Sequence, residues 1–109
     1  MIARWDGLSQ GGPGPVTSLA VAPNQPNPFA QQTRIDYTPV SDGAVAILVL
    51  DLNGRHVRNL PETFLGFGRR STVWDGRDDD NRRVPAGVYY VRFVPETGEP
   101  VSRKVVLVP

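Results

Sequence analysis

Residues 74–95 read WDGRDDDNRRVPAGVYYVRFVP: the end of one strand, a polar loop and the start of another. After Gly87, the residues Val88, Tyr89, Tyr90, Val91, Arg92 and Phe93 are nearly all β-formers. Their core-forming positions recur every second residue, where a helix would repeat at about 3.6, so the period predicts a strand. Tyr89, Val91 and Phe93 are expected to face a core and Arg92 to face out. Trp74 closes an earlier apolar-alternating run, and the charged residues 75–83 between the strands are too polar to bury.

Outward from this stretch the same grammar recurs. Segment 33–38 sets Ile35 and Tyr37 on one face and Arg34 and Asp36 on the other, a half-buried strand that Pro39 ends. Segment 44–52 is apolar on both faces, with Val45, Ile47 and Val49 alternating with Ala46, Leu48 and Leu50, which predicts a central strand covered on both sides. Asn53-Gly54 predicts a two-residue type I′ turn into a strand at 55–60, because both central residues of that turn need positive φ. Residues 61–67 read as a loop, 68–74 and 101–108 as strands, and 19–22 as a short first strand. Pro23, Pro26 and Pro28 exclude a helix from the segment before Phe29, which leaves Phe29 as the large side chain able to plug a core end. Together these make about seven antiparallel strands over residues 19–109, an all-β, immunoglobulin-like β-sandwich. Residues 1–18, carrying Gly7, Gly11, Gly12, Pro13, Gly14 and Pro15, read as a linker or flexible N-terminal tail.

The bulk composition fits one such domain. A chain of 109 residues, 39% hydrophobic and 21% charged, is sized for a single core. Eleven glycines and eleven prolines point to many turns and few helices. A formal net charge of +1, with acids interspersed among arginines, makes no basic face for nucleic acid. The lack of cysteine removes any disulfide framework, thiol nucleophile or thiolate metal site. No apolar run approaches the roughly 18 residues of a membrane span, so membrane insertion is not expected. No basic stretch followed by an apolar core opens the sequence, so the signal peptide of an exported parent is expected to lie upstream or to have been removed.

Residues that carry chemistry are few. Asp75, Asp78, Asp79 and Asp80 supply the oxygens calcium takes, but they lack the alternating acids and the sixth-position glycine of an EF-hand loop. Arg77, Arg82 and Arg83 offset most of their charge, which favours a solvated turn held by Asp side-chain-to-backbone hydrogen bonds over a metal site. His56, the only histidine, has no nucleophile to serve, since Ser71 and Ser102 lack a Gly-x-Ser-x-Gly context; it reads as a surface strand residue. Carboxylates crowded on one short loop do not supply the cleft that glycoside hydrolysis needs. The expectation is a non-enzymatic domain with no cofactor. Trp74, Tyr89 and Phe93 read as core rather than as a carbohydrate platform, and Tyr90 as the exposed aromatic.

Six short motifs occur in a telling order: Asn27-Pro28-Phe29; Thr33-x-Ile35-x-Tyr37; Val45-x-Ile47-x-Val49-x-Asp51 with Gly54-Arg55 and Val57; Trp74-Asp75-Gly76-Arg77-Asp78; Ala86-Gly87-Val88-Tyr89; and Lys104-Val105-Val106-Leu107. From about residue 19 onward the chain resembles the FlgD-type immunoglobulin-like domain and the closely similar C-terminal sorting domains of type IX secretion. Where that family usually has glycine after the acidic turn, this chain has Asn81, which tolerates left-handed geometry. The resemblance implies a non-catalytic module of a larger secreted or cell-surface protein that passes through the periplasm. It also implies that export machinery reads the final strands, which in this sequence picks out Gly87, Tyr89, Lys104, Val105 and Leu107. The alternative it implies is a structural assembly module, a hook-cap-like building block or an accessory subunit of a larger extracytoplasmic complex. Under either reading the partners are proteins.

Overall fold

The computed structural model describes residues 19–109, and the linker expected at 1–18 lies outside the described residues. The strands are β1 (Ala20–Val21), β2 (Thr33–Thr38), β3 (Val45–Leu50), β4 (His56–Leu60), β5 (Thr63–Gly66), β6 (Arg69–Trp74), β7 (Gly87–Pro95) and β8 (Val101–Leu107). They pair antiparallel in two four-stranded sheets, ordered β1-β2-β6-β5 and β4-β3-β7-β8. This is an all-β sandwich with the strand order of the immunoglobulin architecture.

The period-two reading of the deciding stretch holds in the structure. Val91 and Phe93 are fully buried and Tyr89 nearly so, while Arg92 lies half-buried on the other face. Ile35 and Tyr37 from β2, Val45, Ile47 and Val49 from β3, and Val105 and Leu107 from β8 complete the facing layers. One end of the core is closed by rings. Phe29 sits edge-on to Trp74 with centroids 5.5 Å apart, and Trp74 edge-on to Tyr89 at 5.1 Å. Both arrangements suit the ring quadrupoles. The Trp74 indole N–H donates to the Arg77 carbonyl at 2.9 Å, so the ring is buried with its one polar atom satisfied.

Three expectations need correction. Among the described residues there are eight strands where about seven were expected, because β5 lies inside the segment 61–67 read as a loop. Its residues show no buried alternation, since Phe64 is exposed and Leu65 only half-buried, so the sequence offered no period to detect. The β3–β4 turn is not type I′, for Gly54 alone has positive φ, at 79°. The Gly54 N–H donates to the Asp51 carbonyl and the Asp51 N–H to the Arg55 carbonyl, both at 3.0 Å, which makes a three-residue loop closed by a left-handed glycine. The deciding group is the Asp51 carboxylate, whose Oδ1 accepts the N–H groups of Asn53 and Arg55 at 2.9 Å each. The bond from the Arg55 backbone is the main cause that holds the Asp51 carboxyl below its ordinary pKa. Finally, β3 is central by position, between β4 and β7, but among the described residues it is covered on one face only. Ala46 is exposed on the other face, and Leu48 and Leu50 are half-buried.

A polar knot crosses the opposite end of the sandwich. The Tyr37 hydroxyl donates to Glu62 Oε1 at 2.7 Å, Arg70 donates to the same oxygen at 2.9 Å, and the Val45 N–H donates to Glu62 Oε2 at 3.1 Å. Arg70 is satisfied further by the carbonyls of Gly43 and Asp42, and the Phe64 ring lies 4.6 Å from its guanidinium. The Arg70 and Glu62 side chains are only 5% and 13% exposed, so the pair is a buried ion pair, with three hydrogen bonds recorded from the guanidinium and three to the carboxylate. Burial pushes Tyr37 far above its ordinary pKa, and the bond to Glu62 adds to the shift. At Glu62 burial alone acts upward, yet the bonds from Tyr37, the Val45 N–H and Arg70 together hold its pKa below the ordinary glutamate value.

Two outcomes follow. Trp74→Ala is expected to cost about 3–5 kcal/mol in urea unfolding, and an undisturbed unfolding midpoint would contradict the core assignment. Because the folded pKa of Glu62 is depressed, its contribution is complete above the unfolded value of about 4.3 and is lost as pH falls through the lower folded value. Glu62→Gln should therefore destabilise by roughly 3 kcal/mol at pH 7, with the gap to wild type narrowing steadily below about pH 4 in the same unfolding assay.

Candidate functional site

The last strand, β8, is an edge strand, and an edge leaves main-chain groups unpaired unless something covers them. The proline-rich loop before β2 does this for its C-terminal end. Asn27 Oδ1 accepts the Val106 N–H at 3.2 Å, the Phe29 N–H donates to the Val106 carbonyl at 2.9 Å, and the Val108 N–H donates to the Phe29 carbonyl at 2.8 Å. The loop holds its own shape through buried Asn24, which donates to Thr33 Oγ1 at 3.0 Å, and Thr33, which donates to the Pro26 carbonyl at 2.8 Å. Asn27-Pro28-Phe29 is thus a clamp, two contacts by backbone and one by side chain, with the Phe29 ring as its anchor in the core. Further along β8, the Arg103 guanidinium reaches the Val21 carbonyl in the other sheet. The ladder repeats every two residues, so Ser102 and Lys104 present their main-chain groups to the same outer edge as Val106, beyond the clamp.

The five residues assigned by resemblance to sorting or interaction divide sharply. Val105 is 0% and Leu107 2% exposed, and Tyr89 is 7% exposed with its hydroxyl donating to the Pro85 carbonyl at 2.6 Å. That bond to a carbonyl four residues upstream is the tyrosine-corner arrangement of immunoglobulin-like folds. Burial, and secondarily the Asp51 charge, raises the Tyr89 pKa. These three side chains shape the core and are not offered to a partner by the folded domain. Lys104 is exposed, and Gly87, half-buried at φ 153°, pairs with Leu107 at the start of β7.

In the acidic loop the carboxylates turn toward main-chain donors. Asp78 Oδ1 accepts the N–H groups of Asp80 and Arg82 at 3.0 and 2.9 Å, and Asp75 Oδ1 accepts the Arg77 N–H at 3.2 Å and Arg58 at 3.1 Å. Asn81 takes up the left-handed conformation expected of it, at φ 64°. Gly76 is also left-handed, at 74°, and a side chain there would crowd Arg83 and Leu107 at 3.1–3.3 Å, which explains the glycine of Trp74-Asp75-Gly76. Asp79 has a role that no pattern in the sequence signals. Its N–H donates to the Val57 carbonyl and its Oδ1 accepts the Asn59 N–H, both at 3.1 Å, so the loop covers the outer edge of β4. His56 lies alongside, exposed, with Nδ1 3.6 Å from Asp79 Oδ2 and Nε2 3.0 Å from Asn59 Oδ1. Among the described residues no three His, Asp or Glu side chains converge as a metal site would need.

Tyr90, expected to be the exposed aromatic, is half-buried on the outer face of its sheet. Among the described residues the exposed rings are Phe64 and Phe67, on the β5–β6 hairpin. Neither stands in an alternating pattern, so nothing in the sequence separated them from core residues. Beside this hairpin lies a shallow concavity of about 290 Å³, lined by Val21, Tyr37, Leu65 and Arg69 among others.

No protein-family model matches the sequence, and no curated protein sequence matches it. Among solved structures, the chain is similar over 90% of its length to part of PorZ, an essential surface component of the type-IX secretion system of Porphyromonas gingivalis, with a TM-score of 0.54 and 18% identity. The chain spans 13% of the length of that protein. The likeness is one of fold: an immunoglobulin-like sandwich shared with a component of that secretion system.

Proposed function

We propose that this chain is a non-catalytic sandwich module of a secreted or cell-surface bacterial protein, serving as a sorting or anchoring signal for type IX-like export. The observation that carries the reading is the fold shared with a segment of PorZ, a surface component of that system. The ordered motifs from Asn27-Pro28-Phe29 to Lys104-Val105-Val106-Leu107 support it from the sequence side. The geometry favours recognition of the folded domain, because a machine that read Val105 or Leu107 directly would have to strip β8 from a clamped and buried position. On this reading the accessible signal is the outer side of β8 at Lys104 and the adjoining start of β7 at Gly87, while Tyr89, Val105 and Leu107 act by keeping that surface in place.

The test is export of a reporter carrying a signal peptide at its N-terminus and the whole chain at its C-terminus, in a host with type IX secretion. Wild type is expected to reach the surface or medium. Lys104→Glu should lower export while shifting stability by no more than about 0.5 kcal/mol, as befits a surface substitution. Leu107→Ala should instead lose about 2–5 kcal/mol of stability and lose export only as folding fails. Retention of the wild-type fusion in the periplasm would overturn the sorting role and leave the assembly module, docked through a neighbouring subunit, as the better account.

A further inference from the structure

The outer face of the β4-β3-β7-β8 sheet departs from what solvent ordinarily selects. An antiparallel sheet with one wet side alternates apolar and polar residues. Here the outward positions include Leu48, Leu50, Val88 and Tyr90, all half-buried. The register places them as neighbours: Leu50 lies opposite Tyr90, Leu48 opposite Arg92, and Tyr90 opposite Lys104. The two sheets account for every described strand, so no described strand lies over this face. An apolar sheet face is ordinarily buried against a further layer.

The charge on this sheet is one-sided. Its four strands, VAILVL, HVRNL, GVYYVRFVP and VSRKVVL, contain no Asp or Glu, yet carry Arg58, Arg92, Arg103 and Lys104. Of these, Arg92 and Lys104 alternate with the buried Val91, Phe93 and Val105 and so stand on the outer face, flanking Tyr90. Two cations within an apolar field are too few for a phosphate backbone, which demands many neutralising contacts. They suit a partner that brings carboxylates beside apolar side chains.

We propose that the outer face of the β4-β3-β7-β8 sheet, centred on Leu48, Tyr90, Arg92 and Lys104, docks an acidic and apolar protein surface. The proposal extends the reading of Lys104 as an accessible recognition residue, and it is tested on the purified chain, so its failure is separable from a failure of export. The probe is a synthetic decapeptide alternating aspartate with leucine or valine, titrated into isotopically labelled protein while amide shifts are followed. The same peptide with lysine in place of aspartate, and vesicles of phosphatidylglycerol, are titrated in parallel.

Saturable shifts are expected at Leu48, Tyr90, Arg92 and Lys104 with the acidic peptide alone, weakened about tenfold or more by Arg92→Glu. If Arg92→Glu does not fold, the milder Arg92→Gln carries the comparison, with weakening in the same direction. The proposal is overturned if the acidic peptide produces no saturable shift by about 1 mM. Equal binding of the lysine peptide, or shifts confined to the other sheet, would overturn it too. Preferential engagement of the vesicles by the same residues would reassign the face to lipid, and concentration-dependent broadening of these signals without peptide would reassign it to a second copy.

Discussion

The insertion of Phe29 beneath Trp74 is the contact on which the rest of this sandwich depends. Phe29 comes from a loop with no regular structure, and its ring is seated in the core edge-on to Trp74, which is itself edge-on to Tyr89. Once the ring is seated, the backbone on either side of it is fixed against Val106 and Val108, and the last strand gains a partner along its open edge. Burial of one aromatic side chain therefore has a second effect at the surface: it positions the strand that the proposed export role uses.

The same economy appears at the other edge of that sheet. The acidic loop folds back through Asp79 onto β4, so the two edges of the β4-β3-β7-β8 sheet are each covered by a loop at the end of a strand connection. In the other sheet the edges are kept short. β1 has two residues and is followed by Pro23, and β5 has four with a register irregularity between Phe64 and Gly66. Short edges, proline and bulges are the usual protection of sheets against unwanted pairing. The polar residues of the acidic loop are accordingly spent on backbone donors, Asp78 on its own turn and Asp79 on the neighbouring strand.

Much of this was legible in the sequence, for a definite reason. Strands buried on one face write their period into the chain, and β2 and β7 were read from that period alone. Phe29 was legible because it stood as a lone large apolar residue among prolines. The losses have equally definite causes. β5 buries no alternating face. The β3–β4 turn was decided by the Asp51 side chain and not by the Asn-Gly pair that signals a tighter hairpin. The apolar outer residues of β3 read as doubly covered, since composition reports hydrophobicity and not what lies above it. Among the residues that the resemblance singles out, it could not separate the side chain on the surface of β8, Lys104, from those beneath it, Val105 and Leu107. Only the register of β8 against β7 makes that division.

The central claim is that the C-terminal end of the last strand is locked by the loop at Phe29. Amide hydrogen exchange at Val106 and Val108 tests it most directly, since both N–H groups are bonded to that loop and to nothing else described. The account expects both to be protected, approaching the protection of Val91 at the centre of β7. Exchange at the rate of an unstructured chain at both positions, with Val91 still protected, would contradict it.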